Sequence, residues 1–523
     1  MGREPADVDP QHWMLTAGER GNPSTDLDRP AAGGAAWSCG NLVRALVDGQ
    51  EYFRILLAEL DDLGADDQVY FSAWIGDPTE RLAGRGTSIG SRFARAIEAG
   101  TSVHALFWCP YLDVRRDFVP ENRSFVTLLR DLGAAAVLDQ RVRAFGSHHQ
   151  KFLVIRRPGR PETDVAFLGG IDPFPTRGDD REHGGDPQVQ HAIAEVYGQR
   201  PAWHDTHLEV RGPAVAEVEH CFRERWDDAT APRRLPFRLP SGKFRSHRDA
   251  ALPEPLAPPG PRGPHAVQLL RTYPRKKPPF PFAPDGERSV ARGYVKALGR
   301  ARDFVYVEDQ FLWSPVVAEV FAEALRRRPG LRLVAVVPNR PDKDGVVQVG
   351  TSDVAHRKAL KVLRAAGGDR VEVYELARGD GVPIYVHSKV CVIDDRWAAV
   401  GSANLNRRSW TYDTELSAAV VDGGGSFARD LRVRLWREHL GRDEHDTADL
   451  LDPEQGMTAL RRASAAVQRW HEADAPGPRP RGHLRPHPWP VVSHLTRTWA
   501  VPAGRLLTDP DGRPRRLGRK HRW

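Results

Sequence analysis

Two histidine–lysine pairs are the residues of this sequence whose types and spacing could do chemistry. His149 and Lys151 form the first pair, and His387 and Lys389 form the second. On an extended strand, residues i and i+2 point to the same face, so each pair projects one imidazole and one ammonium together. Such a pair is half of a phosphate site. Two halves facing each other would surround one phosphorus atom with two imidazoles and two cations.

This set of groups suits double displacement at a phosphodiester. One neutral histidine attacks phosphorus and becomes phosphorylated, while the other, protonated, gives its proton to the leaving oxygen. Water or an alcohol then releases the intermediate, and the lysines hold the non-bridging oxygens. Each imidazole also needs a second group, usually a carboxylate, to fix its tautomer. We expect Glu415 to orient the histidine of the second pair and Asp205 that of the first.

Both pairs lie within an internal repeat. The segment HHQKFLVIRRPGRPETDVAFLGGID in the first half of the chain matches VHSKVCVIDDRWAAVGSANLN in the second. Each copy has His-x-Lys, an apolar segment, a turn, a second apolar segment and then Gly-Gly or Gly-Ser. Asp-Thr-x-Leu follows in both copies, at Asp205 and at Asp413, and this alignment places Glu415 opposite His207. The repeat predicts two similar halves that contribute to one site.

These motifs resemble the phospholipase D superfamily, whose signature is H-x-K-x4-D followed by G-G or G-S and often Asn. The second copy matches throughout, at His387, Lys389, Asp394, Gly401, Ser402 and Asn404. The first copy matches at His149, Lys151, Gly169 and Gly170. The segment YVEDQFLW (306–313) is also similar to the family's Y-I-E-N-Q-[YF] strand. The resemblance covers about residues 37–445, and two motifs in order make it specific.

The resemblance implies an α/β fold of two similar α/β/α-sandwich halves, related by pseudo-twofold symmetry around one active site. It also implies a phosphohistidine intermediate, with His149 as nucleophile and His387 as acid, and no cofactor or required metal. The candidate catalytic residues are His149, Lys151, His387, Lys389, Asp394, Glu415 and Asp205. The candidate substrate phosphate-binding residues are Gly170, Ser402, Asn404 and Glu308. Turn formation is the alternative for Ser402 and Asn404, and a surface carboxylate is the alternative for Glu308.

The first motif departs from the family pattern at one position. Five residues after Lys151 the pattern has aspartate, and this chain has Arg156. We expect Asp164, at the far side of a longer turn, to take the missing structural role. On this hypothesis Arg156→Asp changes activity little, whereas Asp164→Ala lowers stability or rate.

Alternating strand-like and helix-like segments in both halves are typical of an α/β protein with buried strands. The predicted organisation is an N-terminal extension (1–36), a first phospholipase D-like half (37–230) and a Pro/Arg-rich linker (231–264). A second half (265–447) and a C-terminal helix with a basic tail (448–523) complete it. The prolines of the linker exclude a regular core element there.

Other residues of chemically active types are expected to be structural. His356-Arg357-Lys358 has helical spacing and no following strand, which predicts an exposed helix face. The tryptophans Trp74, Trp108, Trp203 and Trp313 are expected in the core. The four cysteines are far apart without a CxxC pair, which favours reduced thiols over a disulfide framework or zinc knuckle.

Composition narrows the class of protein. The chain has 523 residues, 40% of them hydrophobic, and a net charge of +7, with arginine supplying nearly all of the basic side chains. We expect no membrane span, no secretory signal and a cytoplasmic location, with peripheral binding at a membrane as a further possibility. The basic C-terminal tail fits either a disordered end or docking to anionic lipid.

The leading functional hypothesis is a phosphodiesterase that hydrolyses glycerophospholipids to phosphatidate and a free head group. Its partners would be phospholipid at a membrane surface and water or an alcohol as acceptor, with no obligate protein partner. A phosphatidyltransferase of the cardiolipin-synthase type is the first alternative. A nuclease and a non-catalytic phosphate- or lipid-binding protein follow. Nucleic acid is disfavoured because the sequence shows no groove pattern of aromatic and basic residues.

Overall fold

A computed structural model describes residues 8–28, 32–110, 119–188, 193–228, 251–312, 314–343, 345–424, 426–473, 477–504, 508–514 and 523. Most of the predicted linker, Trp313 and residues 515–522 of the basic tail lie outside this part of the chain. Residues 251–264 contain no regular element. The domain boundaries remain predictions.

The first half alternates strands and helices as the sequence predicts. Its strands are β1 (Ser38–Val47), β2 (Gln68–Ala73), β3 (Ser102–Trp108), β4 (Ala135–Asp139), β5 (Phe152–Arg156), β6 (Val165–Gly169), β7 (Trp203–His204) and β8 (Thr206–Arg211). Its helices are α1 (Pro10–Trp13), α2 (Ala17–Arg20), α3 (Gly49–Asp61), α4 (Ile89–Glu98), α5 (Val119–Asp131) and α6 (Ala214–Trp226).

The second half also alternates strands and helices, with several additional elements. Its strands are β9 (His265–Tyr273), β10 (Glu287–Arg288), β11 (Phe304–Asp309), β12 (Arg332–Val336), β13 (Val371–Ala377), β14 (Pro383–Val386), β15 (Lys389–Ile393), β16 (Trp397–Gly401), β17 (Glu415–Asp422) and β18 (Leu484–Pro486). Its helices are α7 (Ser289–Arg300), α8 (Pro315–Arg327), α9 (Val346–Gly367), α10 (Arg407–Thr411), α11 (Ser426–His439), α12 (Pro453–Glu472) and α13 (His494–Ala503).

The two halves repeat one sheet topology. Strands run in the order β4-β3-β2-β5-β6-β8-β1 in the first half and β13-β12-β11-β15-β16-β17-β9 in the second. In each half the first three strands are parallel and the others antiparallel. Pairing of β1 with β9 joins the halves into one continuous sheet. The predicted pair of similar α/β halves is confirmed.

Helices cover both faces of this sheet. Apolar residues of α3, α4 and α5 form one core with the first half, and those of α7, α8 and α9 form another with the second. On the opposite face, α6 and α11 share a single core that runs across both halves. Each half is therefore an α/β/α sandwich. The shared core holds the two sandwiches at a fixed spacing, as a composite site requires.

Arg156 is a buried ion-pair partner, so Arg156→Asp should cost stability, and its small effect on activity stays a prediction. Its side chain is 0% exposed and forms ion pairs with Asp164, at 2.8 Å, and with Glu219. Asp164 also accepts a hydrogen bond from the backbone N–H of Arg157. An aspartate at position 156 would bring three carboxylates together out of water, which is costly.

Asp394 is at the opposite end of β15 from His387 and Lys389, so its assignment to the catalytic set is corrected. Its carboxylate accepts hydrogen bonds from the backbone N–H groups of Arg302, Asp303 and Phe304, at 2.8–2.9 Å. It fixes the turn that leads into β11. The aspartate of the motif is a structural residue in this chain.

His356 lies on a helix, as predicted, but it is buried rather than exposed. Its Nδ1 contacts the carbonyl oxygen of Leu312, and its Nε2 lies 2.9 Å from Nε2 of His487. The segment after 480 packs over α9 and covers this face. The helical spacing of residues around His356 could not predict this burial, because the covering segment is distant in sequence.

Candidate active site

The two histidines lie at the junction of the halves, immediately before β5 and β15. The backbone N–H of His149 donates to the carbonyl of Thr414 at 2.9 Å, and that of His387 donates to the carbonyl of His204 at 2.8 Å. Each motif is therefore hydrogen-bonded to a segment of the other half. These reciprocal bonds build a single site from two repeats.

The carboxylates that orient the histidines are exchanged between the halves, which corrects the pairing expected from the sequence. His149 Nδ1 lies 2.9 Å from Glu415 Oε2, and His387 Nδ1 lies 2.6 Å from Asp205 Oδ2. In both cases Nδ1 is engaged, which leaves Nε2 as the nitrogen free for chemistry. Glu415 therefore serves the first motif and Asp205 the second.

Strand register also corrects the alignment of the repeats. His207 pairs with Gly169, and Ser417 pairs with Gly401. These positions are equivalent, so the carboxylates two residues earlier, Asp205 and Glu415, are equivalent too. The Asp-Thr-x-Leu match is out of register by two residues. His207 therefore has no carboxylate counterpart.

The Gly-Gly and Gly-Ser residues support the carboxylates. A Cβ atom on Gly170 would lie 2.0 Å from Asp205 Oδ1, so only glycine allows this close approach. At the equivalent position, the Ser402 hydroxyl donates to Glu415 Oε2 at 2.5 Å and accepts from the N–H of Leu416. The structure thus places Gly170 and Ser402 against the carboxylates, where the sequence suggested contact with substrate phosphate.

Both lysines are buried and point to the same region as the histidines. Lys151 Nζ donates to the carbonyl of His149 at 3.1 Å and lies 3.3 Å from Asp172 Oδ2. Lys389 Nζ donates to Gln310 Oε1 at 3.1 Å and to the carbonyl of its own motif histidine. Each ammonium keeps one hydrogen for a phosphate oxygen, since an –NH₃⁺ group has three hydrogens.

Two residues after Gly170 and Ser402, equivalent positions hold Asp172 and Asn404. Asp172 accepts hydrogen bonds from the backbone N–H groups of Trp74 and Ile75, at 3.0 and 3.3 Å. Asn404 is 3% exposed, and its Oδ1 has no hydrogen-bond partner among the residues that the structure describes. A role of Asn404 in phosphate binding stays a prediction.

Glu308 is not a pocket-lining residue. It is fully buried and accepts hydrogen bonds from the Tyr306 hydroxyl at 2.5 Å, from His204 Nε2 at 2.9 Å and from His439 Nε2 at 2.7 Å. These donors occupy both carboxylate oxygens and leave no room for substrate. Burial opposes its ionisation, but the two histidines outweigh that and lower the pKa of Glu308.

Electrostatics distinguish the two histidine–carboxylate pairs. Burial and the neighbouring lysines hold the pKa of both His149 and His387 well below the usual value. Burial opposes ionisation of Asp205, but the His387 imidazole and Lys389 outweigh it and lower the pKa of this carboxyl. Burial instead raises the pKa of Glu415 to about 7. The carboxylate beside His387 is thus the stronger anion, and that histidine is the better placed to become an imidazolium.

The lysines also differ. Burial and the charge of Lys151 lower the pKa of Lys389 to about 8, against the opposing effect of Asp205. Both ammonium groups, Lys151 and Lys389, lower the pKa of His149. Charged groups from both halves therefore act on the same histidine.

Three residues that sequence reasoning did not assign to the site also contact it. The Trp203 ring lies 4.9 Å from that of His387, and the Trp74 ring lies 5.8 Å from that of His149. The Arg177 guanidinium is 4.0 Å above the Trp203 ring and acts on the pKa of His387. The tryptophans were expected to be core residues. Arg177, in a long loop, carried no signal in the sequence.

The structure thus brings the two His-Lys pairs of the α/β/α repeats together at the junction of the halves. Two family models match the chain. A "Phospholipase D" model matches residues 116–316, and a "Cardiolipin synthase, PLD-like domain" model matches residues 294–437. The chain belongs to the phospholipase D superfamily.

Individual relatives are distant in sequence. Phospholipase D alpha 2 of Oryza sativa is 26% identical over 507 residues, covering 76% of this chain and 60% of the relative. Human phospholipase D1 is 26% identical over 313 residues, covering 49% of this chain and 28% of the relative. The chain thus spans about 60% of the length of the plant relatives it matches.

A solved structure shares the fold. The phosphatidylserine synthase of Haemophilus influenzae aligns with a TM-score of 0.50 at 13% identity, covering 91% of this chain and 93% of that one. Among the described residues, no helix is both long and apolar enough to cross a membrane.

Proposed function

We propose that this chain is a phospholipase D-type phosphodiesterase that hydrolyses glycerophospholipids to phosphatidate and a free head group through a phosphohistidine intermediate. The observation that carries the proposal is the exchanged pairing of His149 with Glu415 and His387 with Asp205. It occupies Nδ1 of each imidazole and leaves Nε2 available for chemistry. The similarity to plant and human phospholipases D favours a phospholipid substrate.

In the first step His149 Nε2 attacks phosphorus and forms an N–P bond, while the bond from phosphorus to the head-group oxygen breaks. His387 Nε2 gives its proton to that oxygen. The low pKa of His149 keeps it neutral and nucleophilic. The ionised Asp205 supports the imidazolium at His387. This asymmetry favours the same order of roles that the family resemblance implies.

His387 must be protonated at the start, although its pKa is lowered in the free protein. An anionic phosphodiester between Lys151 and Lys389 offsets the positive charge that disfavours the imidazolium. Substrate binding therefore raises the pKa of His387 and charges the acid where it is needed. The lysines hold the non-bridging oxygens as charge builds up, and one such donor is worth about 3–4 kcal/mol.

In the second step His387 takes a proton from water, whose oxygen attacks phosphorus. The N–P bond to His149 breaks, and phosphatidate leaves. The first step makes His387 neutral, so it is ready to act as this base. Both histidines return to their starting forms.

Transfer of the phosphatidyl group to an alcohol is the second candidate. The match of residues 294–437 to the cardiolipin synthase-like model and the fold shared with a phosphatidylserine synthase both support it. The intermediate is the same, and only the acceptor differs. A nuclease and a non-catalytic binder rank lower, because the comparisons above are with phospholipid enzymes and both His-Lys pairs are present.

The test is head-group release from mixed phospholipid vesicles with a primary alcohol added, during a brief incubation with EDTA. Wild type should release head group and form both phosphatidate and the phosphatidyl alcohol, whereas His149→Ala should do neither. The control Gly64→Ala, in open space on the surface, should keep wild-type activity. Alcohol product without phosphatidate would favour the transferase. No turnover by wild type would reject both lipid functions.

A further inference from the structure

A second cluster of ionisable groups lies just behind the active site, in the core between the halves. It consists of Asp48 before α3, His183 in the loop between β6 and β7, His204 at the end of β7, and Glu438 in α11. Their side chains are between 0% and 9% exposed. The four segments come from both halves and are distant in sequence.

One donor atom from each residue converges on a common point. His204 Nδ1 lies 3.0 Å from Asp48 Oδ1 and 3.1 Å from Glu438 Oε1, and His183 Nε2 lies 3.6 Å from Glu438 Oε1. All four atoms lie within 4.8 Å of one another. With metal–ligand bonds of about 2.0–2.2 Å, tetrahedral zinc separates neighbouring ligand atoms by roughly 3.3–3.6 Å. Three of the ligand pairs, at 3.0, 3.1 and 3.6 Å, are close to this spacing.

Hydrogen bonding does not satisfy this cluster. Within the described part of the chain, Asp48 Oδ2, Glu438 Oε1 and both ring nitrogens of His183 are buried and have no hydrogen-bond partner. A single hydrogen on His204 Nδ1 cannot serve two carboxylates, yet both lie within 3.1 Å of it. Buried orphan groups of this kind are rare, and a bound ion is one explanation.

The other nitrogens of both imidazoles face carboxylates. His204 Nε2 lies 2.9 Å from Glu308 Oε2, and His183 Nδ1 lies 3.8 Å from Asp179 Oδ2. Metal-bound histidines almost always direct their second nitrogen to such a partner, which fixes the ring and strengthens it as a ligand. His183 also has a positive φ of 52°, a strained conformation that presents its ring to the cluster.

We propose that Asp48, His183, His204 and Glu438 bind one structural divalent metal ion, zinc by the character of the ligands. Two imidazoles and two carboxylates suit zinc better than magnesium or calcium, which prefer oxygen alone. The two carboxylates also balance the charge of the ion. Four protein ligands leave no position for substrate, which is typical of a structural site.

The ion fixes the part of the fold that orients the acid. His204 immediately precedes Asp205, and its carbonyl accepts the backbone N–H of His387. Zinc bound to His204 would tie β7 to α11 of the other half. No step of the proposed reaction passes through the metal, so the two proposals stand independently.

Metal content of the purified full-length chain tests the site without any substrate. After expression with added zinc and extensive dialysis, elemental analysis of wild type should give about one zinc ion per chain. His183→Gln should retain less than about a tenth of that, since it removes a ligand. The matched control is His104→Gln, which alters another buried histidine of the same half outside the cluster.

Two further measurements keep the test decisive if His183→Gln fails to fold. Glu308→Gln keeps all four ligands but weakens the contact that holds the His204 ring in place. Competition with a chelating dye should therefore show about 10–100-fold weaker zinc affinity. Cobalt replacing zinc should show the visible absorption of a tetrahedral site. Wild type without bound zinc, whose unfolding temperature zinc does not change, would overturn the proposal. Equal zinc in His183→Gln would also overturn it by placing the ion elsewhere.

Discussion

Replacement of Asp205 by asparagine should impair the acid and base function of His387 and leave the nucleophile His149 intact. Asp205 Oδ1 accepts the backbone N–H of Thr206 at 2.8 Å, so the amide oxygen of asparagine would take that position. Its NH₂ group would then face His387 Nδ1, which Asp205 Oδ2 now contacts at 2.6 Å. His387 would be held with its hydrogen on Nε2 and could neither carry a second proton nor act as a base.

The expected loss depends on the leaving group. For a short-chain phosphatidylcholine, whose alkoxide needs a proton, kcat should fall about 10²–10⁴-fold. For the matching phosphatidyl-p-nitrophenol the phenolate leaves unaided, and the first step should slow by less than about tenfold. The second step still needs the base. Asp205→Asn should therefore release a burst of about one p-nitrophenol per site and then turn over slowly.

Glu415→Gln is the matched comparison, because Glu415 orients the other histidine. Its Oε2 accepts both His149 Nδ1 and the Ser402 hydroxyl, so a glutamine oxygen can keep both contacts. We expect a loss of about 10–100-fold that is similar for both substrates, since the nucleophile is weakened in each case. Stopped-flow absorbance measures the burst. A leaving-group-dependent loss in Glu415→Gln, with none in Asp205→Asn, would refute the exchanged pairing.

Three other predictions follow from single contacts. Because burial and Lys151 lower the pKa of Lys389 to about 8, kcat/KM should fall above that pH as its ammonium loses a proton, while kcat should fall only at higher pH. Arg156→Asp should lower the free energy of unfolding by about 3–5 kcal/mol, measured with urea, because it removes a buried cation and places a third carboxylate beside Asp164 and Glu219. Gly170→Ala should reduce kcat by about 10–100-fold with little loss of stability, because its Cβ would displace the Asp205 carboxylate.

Each of these predictions has a control within the chain. Lys389→Arg should move the alkaline limb of kcat/KM upward, since arginine stays charged. Arg326→Asp, at a half-exposed position of α8, should change stability by less than about 0.5 kcal/mol. Gly64→Ala, in open space, should leave kcat unchanged. A pH profile that is flat to pH 10, a stable Arg156→Asp or a fully active Gly170→Ala would each contradict the corresponding argument.

The sequence was sufficient to predict the fold, and the two predicted His-Lys pairs lie at the junction of the halves, where their catalytic role stays a prediction. Repeated His-x-Lys motifs, each followed by two apolar segments and a Gly-Gly or Gly-Ser pair, predicted the two halves and their common site. Strand-like apolar segments alternating with helix-like segments predicted the α/β character of both halves. Local patterns of this kind record which face of an element is buried, and this protein follows them.

Contacts between the halves were beyond the reach of sequence patterns. Nothing local distinguishes a carboxylate that serves its own motif from one that serves the other, so Asp205 and Glu415 were assigned the wrong way round. The two Asp-Thr-x-Leu segments are not at structurally equivalent positions. Only the strand register reveals that they are shifted by two residues. Glu308 is only two residues before Gln310, which contacts Lys389, but the Glu308 side chain is fully buried in the core.

The most direct test of the account is to trap the covalent intermediate. Wild type should be mixed with short-chain phosphatidyl-p-nitrophenol, quenched at the end of the burst under alkaline conditions that preserve phosphohistidine, and digested for mass spectrometry. We expect a phosphatidyl group on His149 and none on His387, with no adduct in His149→Ala. An adduct on His387, or p-nitrophenol release without a burst or an adduct, would contradict it.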